Sequence, residues 1–536
     1  MTVTEASPAS APAASSPPPE ARRDNWFDSA DHKRLGLLYL GFSLLALFAG
    51  LVVALAYPLP GVADGVDIWT SRASRTGSAA VTLVFVLGVA PAWIGLATFI
   101  VPLQLGATRL ALPRLSAFAW WLHATGAVIT VAAYLRGRPA GGGLGSPVPA
   151  GAAAEPLLAT ELWIVGLGLV ALAAALAWLG LTITILTRRA EGMRVRDVAP
   201  FTWSMLVTGL TSLLAAPVFL AGLVLLYVDH HYAGPLFADA DQGGLAVWLK
   251  TVWLYGRPEV YLLVAPAVGV FSEVVAAAAR RPLFPEPIAR AAIAGAAVLG
   301  LTAWVADTGV VDAAVLPTYN LVTAVAAVPF GLAVLVWLGT VMQGRPRVIP
   351  GVPHAVAFAL VLGAGSLLPI VAALVGLEGA DATAFANGQL TVVVLGPALL
   401  GLAAGIDYWA PKLMGRRAIA AVSALVVLAL LGGVTVTALG QYLAAFGVDA
   451  ALVTTAGVAM LAAAVLALVV SVAGRAELAS ADPYDGLTLE WLAASPPQRY
   501  NFDELPPIKS AYPLHDLRES AAAGEAGDPT DEAVED

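Results

Sequence analysis

The stretch WLYGRPEVY, Trp253 to Tyr261, places Arg257, Glu259 and Tyr261 close together inside a long apolar run. A guanidinium, a carboxyl and a phenol at that spacing can hold or relay protons, or satisfy one another as a buried polar group. Each is costly in apolar surroundings, and an unpaired buried cation costs several kcal/mol. Arg257 therefore calls for an anionic or carbonyl partner, and Pro258 can free backbone carbonyls to help supply one. Imidazoles are the other chemical resource, and there are six: His32, His123, His230, His231, His354 and His515. None lies between 33 and 122, between 232 and 353, or between 355 and 514. His123, in WWLHATGA, could ligate a metal, but a lone histidine on an apolar helix is more often a core residue. The adjacent His230 and His231 could take a surface metal, though two ligands without a third give poor geometry. His354 and His515 carry no supporting pattern. With no cysteine in the chain, disulfides, iron–sulfur clusters and thiolate haem ligation are excluded.

The elements that must position these groups are membrane helices. The 536 residues are 59% hydrophobic and only 12% charged, with a mean hydropathy of +0.80, whereas soluble domains carry about 25% charged residues. The apolar residues gather in runs of about 20, enough to cross a bilayer core as helices. Twelve spans are expected: 35–57, 77–103, 115–134, 161–186, 203–227, 246–276, 288–306, 317–342, 354–377, 388–409, 418–446 and 451–473. The fold class is an all-α polytopic membrane protein. Small residues such as Gly401 and Gly405 suit close helix packing.

Charge sets the expected orientation. With the N-terminus cytoplasmic, 22 of the 28 Lys and Arg fall on the cytoplasmic side, while Arg72, Arg75, Arg136 and Arg138 fall outside. The positive-inside rule then puts both termini in the cytoplasm. Residues 1–25 read as a disordered tail without the apolar stretch of a secretory signal. The membrane domain spans 26–475, followed by a cytoplasmic extension over 476–518 and an acidic disordered tail over 519–536. No basic patch with interleaved aromatics supports nucleic-acid binding. No phosphate-cradling loop, zinc motif or nucleophile–base pair suggests another enzyme.

Several segments carry a family resemblance: DHKRLGLLYL at 31–40, VPLQLGATRLALPR at 101–114, LTITILTRRAEGM at 181–193, GRPEVY at 256–261, YWAPKLMGRR at 408–417, and DPYDGLTLEW with SPPQRYNFDELP in 482–506. In this order they resemble subunit I of the haem–copper cytochrome c oxidases, bacterial aa3-type. The resemblance implies a twelve-helix bundle with two haems and a copper ion, where O2 is reduced and protons are pumped. It also implies six ligand histidines: one on the second helix, one on the sixth, two on the seventh and two on the tenth. Imidazole suits both iron and copper.

The residues depart from that pattern at each ligand position. The second-helix position falls on Ala79 or Ala80, and the sixth-helix copper ligand on Arg257. The seventh-helix pair falls on Trp304 and Val305, or on Ala306 and Asp307 in a shifted register, and the tenth-helix pair on Gln389 and Thr391. A proton-channel acid corresponds to Arg109 and a channel lysine to Ala333, while Glu259 and Tyr261 match the family's relay glutamate and tyrosine. In the shifted register, Arg257 and Asp307 would form a buried ion pair in the volume left by copper. The expectation is therefore a divergent, non-catalytic subunit I-like protein of the respiratory chain in the cell membrane, taking no cofactor. Its role would be structural or in assembly, beside other oxidase subunits such as II, III or an intact subunit I. The alternatives are an ion or proton conductor on the same fold, and an active oxidase with unorthodox ligands.

Overall fold

The computed structural model describes residues 31–55, 77–137, 157–232, 263–302, 325, 328–375, 382–473 and 477–525. These residues form helices joined by turns: α1 His32–Leu55, α2 Gly77–Gln104, α3 Pro113–Arg136, α4 Leu157–Thr187, α5 Pro200–His231, α6 Ala265–Ala279, α7 Glu286–Thr302, α8 Val328–Gln343 and α9 Val352–Val375. Next come α10, which runs from Ala382–Leu390 through Thr391–Leu395 into Gly396–Met414, then α11 Ala420–Ala445, α12 Ala451–Ala473 and α13 Pro513–Glu525. The chain is an integral, all-α membrane protein. The expected count of twelve spans is not reached: 8 helices among the described residues are long and apolar enough to cross a bilayer. The other four expected spans contain α6, α7, α8 and α9, whose described apolar portions are shorter.

Three helices make the centre. Every side chain of α6 is buried, and 89% and 83% of the best apolar windows of α2 and α10 are buried, against 39–56% for the other spanning helices. A helix apolar on all sides finds its lowest free energy inside a bundle, where no face must meet water. All three carry a wide π-type turn two residues before a proline: Thr82–Val89 before Pro91, Leu263–Val264 before Pro266, and Thr391–Leu395 before Pro397. Proline removes an N–H donor and crowds the carbonyl one turn back, and the wide turn absorbs that crowding within the helix.

Close approach depends on small residues, because lipid supplies no hydrophobic drive between helices. Gly401 of α10 faces α6, where an added methyl would collide with the Ala267 side chain, and at Gly405 it would lie 2.8 Å from Leu96 Cδ2 of α2. The expectation for these two glycines holds.

The segment after α12 folds across the arginine-rich end of the bundle. Ala479 N–H donates to Gly415 O at 3.1 Å, and Arg347 Nη1 donates to Asp485 Oδ2 at 2.7 Å. Lys33 Nζ donates to Gln498 O at 3.1 Å, and Asn501 Nδ2 to Ala107 O at 2.7 Å. These bonds tie the extension to the ends of α1, α2, α8 and α10, directly over the central trio.

Candidate functional site: a buried carboxyl pair beneath the extension

The best-built polar site lies where the three central helices meet the extension. Gln104 ends α2, Glu273 sits in the last turns of α6, Trp409 belongs to α10, and Glu490 lies on a short 3-10 turn, Leu489–Leu492, of the extension. All four are buried. Gln104 Nε2 donates to Glu273 Oε1 and Oε2 at 2.8 and 2.9 Å and to Glu490 Oε1 at 3.1 Å. Its Oε1 accepts from Thr202 Oγ1 at 2.6 Å. One carboxamide thus joins both carboxyls to α5. The Phe201 backbone N–H donates to Glu273 Oε1 at 2.8 Å. Trp409 Nε1 and Thr488 Oγ1 donate to Glu490 Oε1 at 3.1 and 2.9 Å.

Burial raises Glu490 above the ordinary carboxyl range, and the donors Trp409, Gln104 and Thr488 offset part of that rise. Next to the pair, buried Lys412 donates to Ala481 O at 2.8 Å and to Ala493 O, with its Nζ 5.2 Å from the Trp491 ring centre. Trp491 Nε1 in turn donates to Tyr408 Oη at 3.1 Å. Chemically the arrangement is a clamp: Gln104 of α2 and Trp409 and Lys412 of α10 each donate to groups of the extension, so buried polar groups are paired across the junction.

A second buried group lies between α9, α10 and α11. His354 Nε2 stands 3.9 Å from Asp407 Oδ2, and Ser423 Oγ donates to the same oxygen. The sequence offered no pattern for His354; the carboxylate nearest it belongs to α10 and is held by a hydroxyl of α11.

The positions expected to have lost metal ligands divide into two sets. Arg257, Glu259, Tyr261, Trp304, Val305, Ala306 and Asp307 lie outside the described residues, and with them the expected Arg257–Asp307 pair. The others are described. Ala80 is buried, and Ala79 packs against a cluster containing Tyr134, Trp163 and Phe219. Tyr134 Oη accepts from Trp163 Nε1 at 3.1 Å and shares hydrogen bonds of 2.9 Å with Ser78 and Thr82, one residue before and two after the alanine pair. Thr391 Oγ1 lies 3.0 Å from Asn387 O and 2.7 Å from Gln441 Oε1, and Gln389 sits two residues away on α10. Ala333 is buried in α8 and Arg109 is exposed after α2.

The remaining imidazoles are dispersed. His123 is buried among Tyr39, Phe42 and Trp120, with ring centres 5.3–6.2 Å away. It borders a cavity of about 40 Å3, room for about one water molecule. His231 Nδ1 pairs with Glu161 Oε1 at 2.9 Å and stacks on Tyr227. His32 Nε2 meets Asn501 Nδ2 at 3.0 Å, and His515 lies 3.7 Å from Glu519. Among the described residues no three His, Asp or Glu converge as a metal site.

The comparisons decide the family. Residues 34–481 match the family model "Cytochrome C and Quinol oxidase polypeptide I". The chain belongs to that family. It is 30% identical over 517 residues to the probable cytochrome c oxidase subunit 1-alpha of Streptomyces avermitilis, covering 92% of this chain and 89% of that protein. It is 28% identical to cytochrome bo(3) ubiquinol oxidase subunit 1 of Buchnera aphidicola, covering 92% and 79%. A heme-copper terminal oxidase dimer solved by cryo-electron microscopy shares the fold, with a TM-score of 0.65 at 14% identity over 92% of this chain and 90% of that one.

Membership corrects one expectation. A chain in a family whose relatives are oxidases, with a heme-copper oxidase as structural neighbour, does not support the expectation of no cofactor. That expectation equated loss of the family's imidazoles with loss of the groups themselves. A large cofactor is held mainly by apolar contact over most of its surface, so axial ligands alone do not decide whether it binds. The donor set at the described positions is a separate matter. Methyl groups at Ala79 and Ala80, a carboxamide at Gln389 and a hydroxyl at Thr391 do not fit haem iron or copper in the way imidazole does.

Sequence reasoning missed Gln104, Thr202, Glu273, Trp409, Thr488 and Glu490. Gln104, Trp409 and Glu490 lie within the motifs VPLQLG, YWAPK and LEW, where the family match alone says nothing of what each side chain bonds to. Glu273 gave its own signal: it is a carboxyl inside the sixth expected span, where a buried charge calls for a partner.

Proposed function

We propose that this cytochrome c oxidase subunit I-like chain serves an oxidase complex of the cell membrane as a structural or assembly subunit, not as the site of turnover. Both termini lie on the cytoplasmic side in this reading. The residues over 476–518 form the surface that other oxidase subunits meet. One contrast supports it: the described ligand positions carry Ala79, Ala80, Gln389 and Thr391, whereas Gln104 still joins Glu273 of the bundle to Glu490 of the extension. A subunit kept for chemistry would retain the first set of positions; one kept for its surface retains the second.

The test is affinity purification of the full chain from its native membranes, with O2 consumption measured using reduced cytochrome c. Other oxidase subunits should co-purify, and O2 reduction should follow a partner carrying the family's ligand histidines. Turnover by this chain in a preparation free of any second subunit I would refute the proposal.

A further inference from the structure

We propose that the concavity between the exits of α6 and α8 and the start of α13 is a binding site for a phosphate-bearing ligand. Its volume is about 570 Å3, and its lining includes Arg280, Arg281 and Arg345 together with Glu286, His515 and Glu519. The main chain holds the first three together. Arg280 ends α6 in the left-handed region at φ 58°, and Arg345 N–H donates to Ala279 O at 3.1 Å. Two helix exits, each followed by arginine, are thereby fixed on one wall.

Counting Arg290, which pairs with Glu286, four arginines face the three carboxyls Glu286, Asp516 and Glu519, an excess of one positive charge. Of the acidic side chains in the lining, Glu286 is paired with Arg290 Nη2 at 2.8 Å, while Asp516 accepts from Ser510 Oγ at 2.7 Å and Glu519 lies 3.7 Å from His515. Among the described residues Arg280, Arg281 and Arg345 form no ion pair. Arg281 uses Nη1 on Gln343 O at 2.9 Å, while its Nε is buried without a hydrogen-bond partner among the described residues. Three arginines line one hollow, and guanidiniums suit the forked recognition of phosphate oxygens. The phosphate can come from a lipid headgroup or from a soluble phosphate compound.

The full chain in phosphatidylcholine nanodiscs, titrated with inorganic pyrophosphate by calorimetry, tests the soluble source. Nanodiscs with added phosphatidylglycerol, followed by native mass spectrometry, test the lipid source. Arg280→Gln/Arg345→Gln should weaken whichever probe binds by at least about tenfold, since each substitution removes a charge-assisted contact. Glu519→Gln, which removes negative charge from the same rim, should tighten it. A response confined to pyrophosphate assigns a soluble ligand, and one confined to phosphatidylglycerol assigns a lipid headgroup. If neither probe binds, or if both bind the arginine variant as they bind the parent with its unfolding temperature unchanged, the site assignment is overturned.

Discussion

Replacing Gln104 by leucine should loosen the extension more than any other single change at the clamp. Leucine keeps the approximate volume and removes one carboxamide that serves Glu273, Glu490 and Thr202. Each buried polar partner left unsatisfied costs about 1–3 kcal/mol. Glu273 keeps the Phe201 N–H, and Glu490 keeps Trp409 and Thr488, so the three losses do not add in full. A net cost of about 1–3 kcal/mol is expected, the range for one buried polar group left short of a partner. The effect should concentrate at the Leu489–Leu492 turn, whose Trp491 and Ala493 amides donate to Thr488 O and Glu490 O at 3.3 and 3.2 Å. Hydrogen exchange at those amides, measured on the purified full chain, should accelerate by about one to two orders of magnitude as local opening becomes easier. Gln104→Glu should be worse, because it sets a third carboxyl beside two. An acceleration of less than about tenfold, equivalent to 1.4 kcal/mol, would mean that the amide bridge does not hold the extension.

Further outcomes follow from the same geometry. Gly401→Val should destabilise the bundle by about 1–3 kcal/mol through overpacking against Ala267, while Gly363→Ala, which meets nothing within 4 Å, should leave the thermal midpoint unchanged; equal behaviour would count against close α6–α10 packing. Glu490 is raised by burial above the carboxyl's ordinary value of 4.5. Its contribution to docking is therefore full below that value and lost as pH rises through the folded-state value. The pH dependence of exchange at Trp491 should flatten in Glu490→Gln, and superimposable profiles would sink the assignment. His123→Leu removes a buried Nε2 that has no partner among the described residues, so stability should hold or rise by up to about 1 kcal/mol. The visible spectrum of the purified complex should be unchanged; loss of a haem band would make His123 a ligand.

The sequence by itself determined the solvent and the family. Apolar runs of about 20 residues can satisfy their backbone only as membrane helices, a local requirement readable without a partner. The ordered motifs from DHKRLGLLYL to the tail likewise survive translation into one dimension. The position of every histidine was fixed in the same way, and so was the mismatch at Ala79, Ala80, Gln389 and Thr391. What those losses mean for haem and copper was not fixed, because a pocket is built by many residues brought together from distant helices.

Only the tertiary structure decided where the polar groups that matter are satisfied. Gln104 and Glu490 are separated by 386 positions in the chain, and neither residue type at either place announces the other. Their pairing depends on α2, α6 and α10 ending at one level and on the extension crossing that end. His354 shows the same limit, since its carboxylate and hydroxyl neighbours come from α10 and α11. Periodicity reports which face of a helix is apolar; which buried polar atom meets which is set by helix ends, crossing and depth, and these exist only once the bundle has packed.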